Sequence, residues 1–259
     1  MRQILLEKIV STLEPLDFVL GLWQGGSQAH GYTDQWSDLD VAVIVEDNFV
    51  EKTFDIVETA LAEIAEIELK YRVPEPAWHG QSQCFWRLKE TPPFLLIDFA
   101  VFRRSSRNEF LEIERHGNVP ISFDKARLII PQHLDKSKHL SKMRSRFNEL
   151  KIRFDLLQPL VVKEIYRGHL VEAIGNYHAW TLLPLVEVLG TIYRPDRFDF
   201  QLKYFSRDFP PEIVDRLTPL FCTANLEDLA AKQQLAASFF AEILPLAEVR
   251  LQNYLNQPN

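Results

Sequence analysis

Two aspartates stand one residue apart at the head of an apolar run, Ser37-Asp38-Leu39-Asp40-Val41-Ala42-Val43-Ile44-Val45. The β-branched residues Val43, Ile44 and Val45 mark a strand. Side chains alternate across a strand, so Asp38, Asp40, Ala42 and Ile44 share one face, and Leu39, Val41, Val43 and Val45 share the other. Burying two like charges on one face costs on the order of several kcal/mol per ion unless something positive compensates. The pattern therefore predicts a strand whose charged end opens on a cleft, with a metal ion as the compensating charge.

The flanking sequence extends this picture. Ile4, Leu5, Ile9, Val10 and Leu13 have helical spacing over 3–14, and Pro15 helps to end that helix. "DFVLGLWQ" predicts a buried strand stopped by Gly25-Gly26. Residues 49–65 carry Phe54, Val57, Leu61 and Ile64 on one helical face. "IELKYRV", "SQCFWRL" and "FLLIDFAVF" predict further strands. The last holds Asp98 in mid-strand on the face of Leu96 and Ala100, an unusual place for an acid. After about residue 135 long helical patterns take over, at 136–157, 159–190, 211–221 and 225–256. The predicted class is α+β: a mixed-sheet domain over 1–134 flanked by helices, then an all-α bundle over 135–259.

Composition narrows the function classes. The 259 residues carry a net charge of -7, which argues against a broad nucleic-acid footprint and favours a cationic acceptor. Cys84 and Cys222 stand alone, so neither a zinc site nor a disulfide framework is indicated. The N-terminus lacks the apolar core of a signal peptide, and no apolar run reaches the ~20 residues that span a bilayer. A cytoplasmic protein without a membrane partner is expected; the oligomeric state stays open.

Three carboxylates on neighbouring strands, Asp38, Asp40 and Asp98, form an oxygen-rich set suited to Mg²⁺, and such a set can hold two ions. In "GGSQAHG", Gly25 and Gly26 allow close backbone approach to a ligand, and Ser27 is a good N-cap for a short helix over Gln28–Gly31. A helix start after a glycine turn favours an anion. A phosphate cradle one short loop ahead of an Asp-x-Asp strand is far more specific than either feature alone.

"LWQGGSQAHG" followed by "SDLDVAVIV" resembles the signature of the DNA-polymerase-β-like nucleotidyltransferase superfamily, with Asp98 at the place of its third acid. His30 stands where many members carry an arginine. The helical half loosely resembles the nucleotidyltransferases of aminoglycosides and lincosamides. The resemblance implies transfer of a nucleoside monophosphate from an NTP to a hydroxyl of a small acceptor, with release of pyrophosphate. It implies that Asp38, Asp40 and Asp98 hold two Mg²⁺ ions and act in catalysis, with Asp98 on the acceptor side. A glutamate of the helical domain is the alternative base. Gly25, Gly26 and Ser27 would meet the phosphates, and Lys203, in "FDFQLKYFSRDFPPE", would add a cation; a solvated lysine is the competing reading. Trp36 and Trp78 are expected exposed near the substrate. The alternatives to small-molecule transfer are AMP transfer to a protein side chain and a non-catalytic nucleotide-binding module.

Overall fold

Residues 1–77, 80–106 and 111–256 are described by the computed structural model of this chain. It divides into two units, Met1–His133 and Leu134–Asn259. Among the described residues, no helix is long and apolar enough to cross a membrane.

The first unit runs α1 (Arg2–Leu13), β1 (Val19–Gln24), α2 (Gly26–Ala29), β2 (Leu39–Val45), α3 (Val50–Ala62), β3 (Ile67–Arg72), β4 (Ser82–Leu88), β5 (Ile97–Arg103), α4 (Ile113–His116) and β6 (Ile121–Asp124). The strands form one sheet in the order β3-β4-β5-β2-β1-β6. The β2/β5 pair is parallel and the other pairs are antiparallel. The spacing of Leu5, Ile9 and Leu13 on α1, and of Phe54, Val57 and Leu61 on α3, turns an apolar stripe of each helix into one core cluster. Val41, Val43, Trp86, Phe99 and Val101 meet them from the sheet.

The opposite sheet face is covered only in part. Trp23, Ala42, Ile44 and Phe102 pack there with Leu111, Val119 and Ile129. Over β4 the chain alternates buried and half-buried residues, because only the α1/α3 side is sealed. β6 has no strand signature in the sequence. It forms because β1 offers a free edge, pairing Gly21 with Asp124 and Leu22 with Phe123.

Glu75 ties three strands together between β3 and β4. It accepts from Ser82 Oγ at 2.5 Å and pairs with Arg72 at 3.1 Å and Arg103 at 3.4 Å. The Ser82 hydroxyl, followed by the two guanidinium groups, holds its carboxyl below the usual glutamate value although burial opposes this.

The second unit is helical: α5 (Lys136–Arg167), α6 (Leu170–Tyr177), a π-turn (His178–Leu182), α7 (Leu183–Tyr193), α8 (Phe205–Asp208), α9 (Pro211–Phe221) and α10 (Leu226–Asn253). The break expected between 157 and 159 is absent. α5 runs through Pro159 and stops at Gly168, whose left-handed backbone (φ 78°) ends the helix. Proline removes one helical hydrogen bond, but neighbours on both sides are pinned. Phe154 stacks on Phe240 with ring centroids 3.6 Å apart, Val161 is fully buried, and Gln158 bonds the Trp180 carbonyl and receives the Thr181 hydroxyl. Packing outweighs the lost bond.

Arg194 and Asp208 form a buried pair in this unit, each side chain 2% exposed. Arg194 also donates to the carbonyls of Gln201 and Lys203, and Arg197 reaches the other Asp208 oxygen at 3.1 Å. These bonds fix the segment from 195 to 209. Burial lowers the pKa of Arg194, with Asp208 opposing the shift.

Glu75→Gln should lower the melting temperature at pH 7. Because the folded-state pKa is depressed, the carboxylate stabilises the fold above the unfolded-state value and loses that effect as pH falls through the folded-state value. Thermal melts from pH 7 downward should therefore show the wild type and Glu75→Gln converging below the usual glutamate value of 4.5.

Candidate active site

The parallel register sets Asp40 directly beside Asp98. Both are half-buried, on the sheet face away from α1 and α3, with Ala42 and Ala100 as the next pair along. Neighbouring strands lie about 4.8 Å apart, so the two carboxylates are cross-strand neighbours, an unfavourable arrangement for like charges. Gln83 on β4 donates its amide to Asp98 Oδ1 at 2.6 Å. Asp38 stands one residue ahead of β2 and is exposed. Its Oδ1 lies 3.4 Å from the Leu96 amide, while Leu39 N–H donates to the Leu96 carbonyl at 2.9 Å. The sheet thus joins Asp40 to Asp98 and leaves Asp38 at the strand entrance.

The glycine turn is clamped onto the same place. Gly25 N–H donates to the Asp40 carbonyl at 3.1 Å. Gly26 has a left-handed backbone (φ 55°), and a Cβ there would overlap the Asp40 carboxylate. Glycine is therefore required twice over, by conformation and by space. The short helix runs from Gly26 to Ala29 with Gly25 as its N-cap, rather than over Gln28–Gly31 with Ser27 as the cap. Ser27 lies inside the turn, where its carbonyl accepts from Tyr32 N–H at 2.8 Å. The helix starts earlier because only Gly26 can take the left-handed conformation beside Asp40.

Gly117 (φ 80°) presses against the backbone of Ala29, where no Cβ would fit, and Asn118 N–H donates to the Ala29 carbonyl at 2.9 Å. This loop supports the turn from behind. The His30 ring stacks on Tyr32 with centroids 5.4 Å apart. Trp36 is 56% exposed and meets Phe94 edge-on at 4.6 Å; these two residues lie on the loops leading into β2 and β5. Trp78 lies outside the described residues. Lys203 belongs to the helical unit. It is exposed, and its ammonium sits 5.2 Å from the Tyr204 ring centroid. Cys84 is buried on the opposite face of β4, and burial pushes its thiol up to about 11, which excludes a thiolate nucleophile at neutral pH.

The donor set is carboxylate oxygen throughout, which suits a hard cation such as Mg²⁺. Among the described residues, no three His, Cys, Asp or Glu side chains gather closely enough to form a metal cage. A seat of two carboxylates still fits Mg²⁺, which usually takes one or two protein carboxylates and fills its remaining positions with water and substrate phosphates.

Residues 4–99 match the nucleotidyltransferase domain family. The matched stretch lies within the N-terminal unit and spans most of α1, the glycine turn, the Asp38-Leu39-Asp40 entrance and Asp98, the stretch on which the resemblance rests. No curated protein matches the chain. Among solved structures, the chain is similar to an aminoglycoside 6-adenyltransferase from Bacillus subtilis, at 11% identity and a TM-score of 0.42, covering 97% of this chain and 92% of that one. It is similar to a nucleotidyltransferase-like protein from Exiguobacterium sibiricum, at 15% identity and a TM-score of 0.40, covering 98% and 78%. A spectinomycin adenyltransferase from Enterococcus faecialis, with ATP and spectinomycin, is similar at 13% identity and a TM-score of 0.33, covering 97% and 98%.

Two residues of the N-terminal unit escaped sequence reasoning. Gln83 is one polar residue in a strand, and only the β4/β5 pairing brings it to Asp98. Gly117 is a lone glycine whose role depends on a contact with Ala29, 88 positions away.

Gly26→Ala tests the turn. A non-glycine residue in the left-handed region costs about 1–2 kcal/mol, and a small displacement of a positioned group can cost about 10²-fold in rate. The variant should melt slightly lower and lose about that factor in pyrophosphate release. Gly25→Ala is the control for stability: its backbone is extended, and the nearest contact of an added Cβ is Asp40 Cβ at 3.9 Å. It should melt close to the wild type.

Proposed function

We propose that this chain transfers a nucleoside monophosphate from Mg²⁺-NTP to a hydroxyl of a small acceptor and releases pyrophosphate. The observation that carries the reading is the pairing of Asp40 with Asp98 beside a turn whose Gly26 admits no side chain. A purely structural sheet gains nothing from two adjacent carboxylates, which repel each other.

Asp40 and Asp98, with Asp38 at the strand entrance, are the residues that would hold Mg²⁺. When bound there, the ion neutralises triphosphate charge and polarises the transferred phosphoryl group. The chain's own groups do the rest. The first amides of the α2 turn have no intrahelical partner and face an anion favourably. Gly26 and Ser27 thus seat the outer phosphates, and Gly25, whose N–H is bonded to the Asp40 carbonyl, holds the turn against β2. Asp98 accepts the proton of the incoming hydroxyl, and the Gln83 amide holds that carboxylate in orientation. Positioning and fixed charge supply most of the rate in such transfers.

The two acids should separate in experiment. Asp40→Asn and Asp98→Asn are nearly isosteric and should both fold. Asp40→Asn should abolish Mg²⁺-dependent ATP binding in isothermal titration, together with turnover. Asp98→Asn should keep ATP affinity within a few-fold while turnover falls by about 10²–10⁴, the range of a lost general base. Removing one of two adjacent charges should raise the melting temperature of the metal-free protein, and the gain should shrink as Mg²⁺-ATP is added. Equal ATP affinity with Mg²⁺ and with EDTA in the wild type would refute the metal role of both acids.

A further inference from the structure

The offset that sets Asp40 beside Asp98 does not end with the strands. Leu39 pairs with Ile97 and Asp40 with Asp98, and the same separation of 58 positions relates Asp38 to Leu96. One step further out it relates Trp36 to Phe94, on the loops that lead into β2 and β5. Both outer relations are contacts. Asp38 Oδ1 lies 3.4 Å from the Leu96 amide, and the rings of Trp36 and Phe94 meet with centroids 4.6 Å apart and planes at 74°. Trp36 is four residues from Asp40, so their Cα atoms lie at most about 14 Å apart. The aromatic pair is the outer end of the double row that carries the two acids. Both rings are exposed, Trp36 by 56% and Phe94 by 55%, yet their loops are held from within. Trp36 N–H and the Ser37 hydroxyl each donate to Asp34 Oδ1 at 2.9 Å, and Asp34 N–H donates to Ser37 Oγ at 2.9 Å. Arg2 ties this turn to α1 through the Asp34 carbonyl at 3.3 Å. In the other loop Pro92 and Pro93 restrict the backbone, and Leu95 N–H donates to the Pro92 carbonyl at 2.9 Å.

Single exposed apolar side chains need no explanation, but two aromatic rings in contact on rigid loops at a site entrance mark a binding surface. In an edge-to-face pair the ring that offers its edge keeps both of its own faces out of the contact, so the pair leaves a π-face for a ligand. We propose that Trp36 and Phe94 form the platform on which the base of the donor nucleotide stacks, and that the donor site therefore accepts all four bases. This rests on the nucleotidyl-transfer reading of Asp40 and Asp98. In that reading the outer phosphates occupy the α2 turn, and the acceptor hydroxyl comes from the side of Asp98 and Gln83. The nucleoside then leaves the acids along the remaining direction, past Asp38 toward the entrance. Trp36 and Phe94 stand where that path meets solvent. Every base has a π-face, so an aromatic platform holds any of them, and stacking does not read the hydrogen-bonding edge.

Titration calorimetry on the full chain tests this with Mg²⁺-ATP and with Mg²⁺-tripolyphosphate, which carries the phosphates without the base. Trp36→Ala should weaken Mg²⁺-ATP by about tenfold, the scale of one lost base–aromatic stack, and leave Mg²⁺-tripolyphosphate unchanged. Trp36→Phe keeps a ring and should retain most of the ATP affinity. Trp36 is exposed, so both variants should melt close to the wild type. GTP, CTP and UTP should bind the wild type within about tenfold of ATP. Unchanged Mg²⁺-ATP affinity in Trp36→Ala would overturn the platform, and so would equal losses for the two Mg²⁺ complexes. A preference for one base beyond about a hundredfold, the upper end of what stacking supplies, would overturn the tolerance for all four. Self-association in sedimentation that Trp36→Ala abolishes, with ATP affinity unaltered, would make the pair a contact between copies. A wild type that binds both complexes equally would sink the platform alone. A wild type that binds neither would sink the transfer reading, and the platform with it.

Discussion

Seven consecutive register pairs join β2 to β5 in parallel, from Leu39 with Ile97 to Val45 with Arg103. The candidate site depends on that pairing. It sets Asp40 against Asp98, it turns both away from the main core, and it brings Leu96 within reach of Asp38. Slipping the register by one residue would move Asp98 to the face sealed by α1 and α3, where an uncompensated charge is costly. The apolar face prevents this. Val41, Val43, Phe99 and Val101 are almost wholly buried, and a slip would expose them together. The core on one face thus fixes the position of charge on the other.

The glycine turn completes the arrangement by a different means. Gly26 approaches the Asp40 carboxylate so closely that no side chain fits, and its left-handed backbone starts a helix that the Gly117 loop supports from behind. The amides of the turn favour an anion and the carboxylates repel it, so both can serve one ligand only with a cation between carboxylate and phosphate. Their juxtaposition is sound chemistry for a metal-bound phosphate. The helical unit solves a separate problem. Its core carries α5 through Pro159, and the Arg194–Asp208 pair holds the segment that includes Lys203 without a regular element long enough to do so.

Much of the N-terminal unit was legible because its signals are local. β-branched residues marked β2, a buried run stopped by Gly25-Gly26 marked β1, short strand-like segments marked β4 and β5, and helical spacing marked α1 and α3. The Asp-x-Asp and Gly-Gly-Ser motifs needed only a few adjacent residues. Ser27 was misassigned as a cap because its residue type suits that role, whereas the cap is set by the space beside Asp40. The break placed near Pro159 followed proline's local chemistry and ignored the burial of Phe154 and Val161, which sequence spacing does not measure.

The sequence by itself determined the class of elements, the division into a sheet-bearing and a helical half, and the candidate residues of the proposed metal-phosphate site. Alternation, spacing and turn chemistry are properties of neighbouring residues. Only the tertiary structure decided which acids meet. Asp40 and Asp98 lie 58 positions apart, and parallel pairing brings them together, while Asp38, two residues from Asp40, is left at the entrance. It also decided that Gln83 holds Asp98 and that the rings of Trp36 and Phe94 meet at the entrance. Those relations follow from strand order and register, which long-range burial sets and no local pattern encodes.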